Sequence, residues 1–148
     1  HRLVCARPAM LDSARVPRDI PRMISTVSLV ALGGAIGASL RYLAGVGVFR
    51  MFGHQEFPLG IITVNVIGSF LMGAFVVAAA HRGLGHYNPF VATGLMGGFT
   101  TFSSFSLETV NLIEKGAYGQ AGLYVALSVG LSVAALFAGL IIAREVWV

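Results

Sequence analysis

Charged and apolar side chains divide this chain into long apolar stretches separated by short polar connectors. Residues 23–40 are 18 uncharged positions, after which Arg41 interrupts and apolar character resumes to residue 49; residues 57–80 add 24 uncharged positions, 87–107 add 21 and 116–143 add 28. A hydrocarbon core of about 30 Å takes roughly 20 residues of helix. Each stretch is therefore predicted to cross a bilayer, with spans at about 24–50, 58–81, 88–114 and 118–146. The connectors at 50–56, 81–86 and 114–119 hold most of the remaining charge. They are short enough to make successive helices antiparallel neighbours. The expected fold is an all-α membrane protein with four transmembrane helices.

Composition agrees with this reading and removes others. Only 11% of the 148 residues are charged, whereas a soluble domain averages about 25%. The single cysteine, Cys5, excludes an internal disulfide framework and argues against structural zinc. The formal charge of +4 does not point to nucleic acid, because five arginines and two aspartates lie within residues 1–22 and leave only +1 for the rest. That N-terminal extension lacks a periodic apolar pattern. It reads as disordered or as lying outside the native protein, with synthesis starting at Met23; a cytoplasmic tail is the next reading. A cleaved signal peptide fits least, since its apolar core runs about 7–15 residues. The membrane domain is then 23–148.

Counted from Met23, Arg82 and Arg144 fall on one side of the membrane, and Arg50 and Lys115 on the other. Orientation follows lysine and arginine bias in short loops. A balanced chain has no electrostatic reason to choose one orientation, which permits insertion both ways and an antiparallel pair.

Polar groups inside the spans are costly unless partnered, so each one asks for a role. Gly33 and Gly37, and Gly94 and Gly98, have the GxxxG spacing of close helix packing. Gly97-Gly98-Phe99-Thr100-Thr101 joins two poor helix formers to two β-branched residues near the middle of the third window. A break is expected there, against the alternative of a continuous helix with a packing notch. Freed carbonyls at membrane depth make a candidate cation site without any carboxylate. Six hydroxyl residues lie between Thr100 and Thr109, and Phe102 and Phe105 share a helix face. Aromatic ring edges are positive and can meet an anion. Asn65, with Ser69 one turn on, reads as interhelical glue or as pathway lining. Tyr124, Ser128 and Ser132, four apart, form one polar stripe. Arg41 either snorkels or pairs with Glu108, a structural role in both cases. No nucleophile, base and orienter occur together, so an enzyme is not expected, and His54, His81 and His86 lie in connectors.

These residues carry a resemblance to the Fluc, or CrcB, family of bacterial fluoride channels. The matching stretches are Gly33-Gly34-Ala35-Ile36-Gly37-Ala38 with Arg41-Tyr42; Pro58-Leu59-Gly60 with Val64-Asn65 and Gly68-Ser69-Phe70; GLMGGFTTFSSF from Gly94 to Phe105, with Ser106 and Glu108; and Tyr124, Ser128 and Ser132. The third is the most specific. The resemblance implies an antiparallel, dual-topology homodimer in the bacterial inner membrane, among lipid, passively exporting cytoplasmic fluoride. It implies a central structural sodium ion held by the backbone carbonyls of Gly97 and Thr100. It places Asn65, Phe102, Phe105, Tyr124, Ser128 and Ser132 along the ion pathway. Ile61 departs from the family, which often has threonine there. A small multidrug-type exporter is the alternative, but residues 23–49 hold no Asp or Glu to serve as its embedded carboxylate. The third reading is a non-conducting membrane assembly subunit.

Overall fold

The computed structural model describes residues 19–53 and 56–147, and these are helical almost throughout, with no strand among them. Residues 1–18 of the proposed extension lie outside the described residues. Helix α1 (Asp19–Phe52) is followed by α2 (Leu59–Arg82), a 3-10 turn (Leu84–Tyr87), a π-helical segment (Pro89–Met96), a short α3 (Gly97–Phe99), α4 (Phe102–Glu114) and α5 (Tyr118–Trp147). Three helices, α1, α2 and α5, are long and apolar enough to cross a membrane unaided.

The third window is different, because the chain comes apart inside it. Thr100 has ψ 158° and Thr101 φ −150°, both extended, between α3 and α4. At 1.5 Å per residue the 13 residues of α4 reach only about 20 Å, short of a hydrocarbon core. Only both halves together approach that thickness. The break falls on the two threonines, while Gly97 and Gly98 stay helical. Packing accounts for the difference. A Cβ at Gly98 would stand 2.6 Å from the Gly34 carbonyl oxygen, so this glycine serves close approach and leaves the extended backbone to the β-branched pair.

The same close approach joins α1 to the first half of the third window. A Cβ on Gly33 would overlap the Phe90 carbonyl, one on Gly37 the Leu95 carbonyl, and one on Gly94 would lie 2.8 Å from the Val30 oxygen. Both GxxxG pairs thus form one seam. A second seam joins α2 to α5, where Gly73 faces the Leu136 carbonyl and Gly139 the Phe70 carbonyl. Small residues let backbones touch where lipid offers no hydrophobic drive for association. Helices α1 and α5 make no contact with each other, so the broken segment and α2 separate them.

A cluster of Ile62, Leu112, Ala121 and Tyr124 ties α2, α4 and α5 together, with Phe57, Ile61 and Phe105 packed against it. Ile61 therefore contributes apolar packing at the position where threonine is common in the resembling family. Many large apolar side chains point outward, including Leu43, Phe49, Leu107, Phe137 and Ile141. In water such a surface would aggregate; in a bilayer it is the solvated face. At one membrane boundary α2 ends in an αL Gly83 cap, and the Arg82 guanidinium lies over the Trp147 ring, 3.5 Å from its centre.

Candidate ion pathway

The break in the third window is held by an asparagine from another helix. Asn65 on α2 accepts from the Thr101 N–H at 2.8 Å and donates through its amide nitrogen to the Thr101 carbonyl at 3.2 Å. In a continuous helix that N–H would donate to the Gly97 carbonyl four residues back. Asn65 therefore replaces the missing helical bond with a side-chain one, and the interhelical-glue reading describes its amide well. Thr101 then caps α4. Its hydroxyl oxygen accepts from the Ser104 N–H at 3.2 Å and donates to Ser104 Oγ at 3.1 Å. The Thr100 hydroxyl instead turns back to the Met96 carbonyl at 3.0 Å, as does its own N–H at 2.9 Å.

A cavity of about 300 Å³ opens against this junction. Its walls are Asn65 and Ser69 of α2, Thr100 and Thr101 of the break, Phe102 and Phe105 of α4, and Ser128, Val129, Ser132 and Val133 of α5. The structure thus brings together five of the six residues assigned to the ion pathway. Tyr124, the sixth, lies fully buried just behind the wall. Its ring stacks on Phe105 at 5.4 Å between centroids and meets Phe57 edge-on at 5.8 Å. Phe105 in turn lies 5.4 Å from Phe102. Phe102 is 78% exposed in the single subunit, which leaves its ring free to meet whatever lies across the cavity mouth.

The hydroxyls of Tyr124, Ser128 and Ser132 are buried, and none makes a hydrogen bond of good geometry; Tyr124 and Ser128 reach each other only loosely, one turn apart on α5. A helical serine ordinarily bonds back to its own backbone. Ser106 and Thr109 do so here, donating to the Phe102 and Phe105 carbonyls at 3.0 and 2.8 Å. The α5 hydroxyls keep their donors unspent instead. Leaving a buried polar group unsatisfied costs about 1–3 kcal/mol. Three in one stripe leave hydroxyl donors available to a partner that is not protein.

A second cavity, about 520 Å³, lies on the other side of the break and shares Thr101 with the first. Arg41, Tyr42, Ile61, Ser104 and Glu108 line it. Arg41 and Glu108 both reach this space, and no ion pair between them is formed among the described residues. Gly97 is exposed and Thr100 half-buried at the end of the first half-helix. No group of three His, Cys, Asp or Glu side chains is placed to hold a metal among the described residues.

Ser69, one helical turn beyond Asn65, lines the cavity as its place on that face suggested, and two lining residues escaped the sequence reading. Val129 and Val133 carry no readable signal, since each is one more apolar residue in an apolar helix.

The sequence matches known proteins over most of its length. Residues 28–140 match the family model described as CrcB-like protein, Camphor Resistance (CrcB). The chain is 65% identical over 124 residues to the fluoride-specific ion channel FluC of Ruegeria sp. (strain TM1040), covering 84% of this chain and 98% of that protein. It is 64% identical over 125 residues to the protein of the same name from Roseobacter denitrificans, covering 84% and 99%. The corresponding protein of Caulobacter vibrioides (strain NA1000 / CB15N) is 54% identical over 122 residues, with 80% and 95% covered. Matched from the first apolar helix into the last, and at these identities over nearly the full length of its relatives, the chain belongs to the CrcB family of multi-pass membrane proteins.

Proposed function

We propose that this protein is a fluoride-selective channel that lets cytoplasmic fluoride leave the cell passively through the bacterial inner membrane. The observation that carries the reading is the set of buried hydroxyls without a hydrogen bond of good geometry: Ser128 and Ser132 on the 300 Å³ cavity and Tyr124 behind it. Fluoride is a small, strongly accepting anion that must exchange water for other donors on entering a membrane. Hydroxyls can rotate to supply them, and the ring edges of Phe102 and Phe105 add positive potential without a fixed charge. The absence of Lys or Arg from this lining suits conduction, which needs binding weak enough for release. The relatives' name, fluoride-specific ion channel, supports the choice of anion.

The working unit is an antiparallel homodimer of subunits that each cross the membrane four times, the third crossing being the broken one. The exposed Phe102 at the cavity mouth and the even distribution of Arg50, Lys115, Arg82 and Arg144 support that assembly. The carbonyls of Gly97 and Thr100 would hold a structural sodium ion at its centre. The donor set fits a hard cation, for Thr101 N–H has been drawn from Gly97 to Asn65 and the chain is extended at Thr100. Two oxygens are too few for such an ion, so a second copy would complete the shell. Bound there, the cation would hold two broken helices together by charge; the anion's donors remain the hydroxyls.

Fluoride efflux from liposomes containing the purified protein tests the reading. Rapid fluoride release with chloride retained is expected. No release, or chloride passing equally well, would sink it.

A further inference from the structure

At the membrane boundary where α2 and α5 end, the Arg82 guanidinium stacks on the Trp147 ring at 3.5 Å. A guanidinium carbon this close to the ring centre fits a face-to-face contact, which leaves the N–H donors at the guanidinium's edge. Those donors make no hydrogen bond or ion pair among the described residues. Arg82 is exposed, and Arg144 is a second exposed guanidinium one helical turn before Trp147 on the same face of α5. A guanidinium held in one orientation by an aromatic ring is preorganised for two parallel bonds to a phosphate. Its depth decides which phosphate. Both helices are apolar spans up to this point, and Trp and Arg side chains settle at the headgroup level.

We propose that the Arg82–Trp147 corner, with Arg144 beside it, is a binding site for the headgroup phosphate of an anionic phospholipid. The site is separate from the ion pathway: neither arginine nor Trp147 lines either cavity at the break. A zwitterionic lipid offers the same phosphate but carries its own ammonium beside it, so the second arginine favours the anionic lipid. The bound lipid would fix the ends of α2 and α5 against each other, beyond the Gly73 and Gly139 seam.

Trp147 is the chain's single tryptophan, so its fluorescence reports on this corner alone. The protein is reconstituted in phosphatidylcholine bilayers holding equal fractions of either brominated phosphatidylglycerol or brominated phosphatidylcholine, and quenching is compared. The anionic lipid is expected to be preferred roughly fivefold, the effect of about one basic residue at an anionic surface. Arg82→Gln, read in the purified assembled protein, should remove most of that preference, and Arg50→Gln, which shifts the loop-charge balance by the same amount at the opposite membrane boundary, should keep it. Arg82→Lys retains the charge without the planar fork and should fall between wild type and Arg82→Gln. Equal quenching by the two lipids, or a preference unchanged in Arg82→Gln, overturns the site. A lysine variant indistinguishable from wild type overturns the two-bond grip. Competition by millimolar inorganic phosphate would show a free-phosphate site and overturn the lipid assignment.

Discussion

Asn65 uses both ends of one amide on one peptide group, and that makes its substitution informative. Aspartate keeps the acceptor for Thr101 N–H but loses the donor to the Thr101 carbonyl, setting a carboxylate oxygen against a carbonyl at what is now a 3.2 Å bond. Asn65→Asp is expected to lower fluoride efflux at least tenfold and to lower thermal stability, because unpairing a buried backbone group costs about 1–3 kcal/mol. Tyr124→Phe should behave in the opposite way. Its hydroxyl is buried with only a loose approach to Ser128, so removing it relieves a desolvation cost, and unfolding in detergent should occur at the same temperature or higher. If the hydroxyl serves the anion, efflux falls while stability holds; unchanged efflux would remove Tyr124 from the pathway. Phe102→Ile separates ring from bulk. Its side chain has little packing within the subunit, so lost flux in a folded, assembled protein would implicate the ring itself.

At the scale of the element, glycine seams and one break decide which helices can neighbour one another. Gly139→Val would drive a side chain into the Phe70 carbonyl, a backbone atom that cannot step aside, and so would part α2 from α5. Loss of folded protein in detergent is the expected result, measured as a fall in the recovered monodisperse fraction. Gly130→Ala on the same helix meets nothing within 4 Å and should be neutral or gain up to about 1 kcal/mol from helix propensity. Equal damage from both would mean that general flexibility of α5, and not the seam, is what the glycines supply. The break obeys the same logic. Glycine's low helix propensity marks the neighbourhood, but Gly98 is needed for contact with Gly34, so the extended residues are the threonines, one of which then caps α4.

For the whole molecule, the cavity that matters lies at an open face with a largely exposed phenylalanine at its mouth. A second copy would enclose it. Light scattering of the purified protein is expected to give a dimer. Removing sodium should cost assembly or conduction, since the ion's proposed role is to join two breaks. A sodium gradient imposed at a fixed fluoride gradient should leave the direction of flux unchanged. Flux that tracks the sodium gradient would make the ion a transported partner and contradict a structural role.

Apolar length alone was enough to determine the membrane class, and helix propensity at Gly97-Gly98-Phe99-Thr100-Thr101 was enough to mark the interruption of the third window, because both depend on local composition. The polar stripe Tyr124, Ser128, Ser132 was legible for the same reason: a period of four on a helix is a local property. Only the tertiary structure decided where Asn65's amide is spent, since its partner lies 36 residues away and either of its readings has the same spacing. It also decided that the extended backbone falls on Thr100 and Thr101, that Phe57 and Phe105 flank Tyr124, and that Arg82 lies on Trp147. Each is a meeting of residues from different elements. Periodicity says which face a residue occupies; packing says what stands opposite.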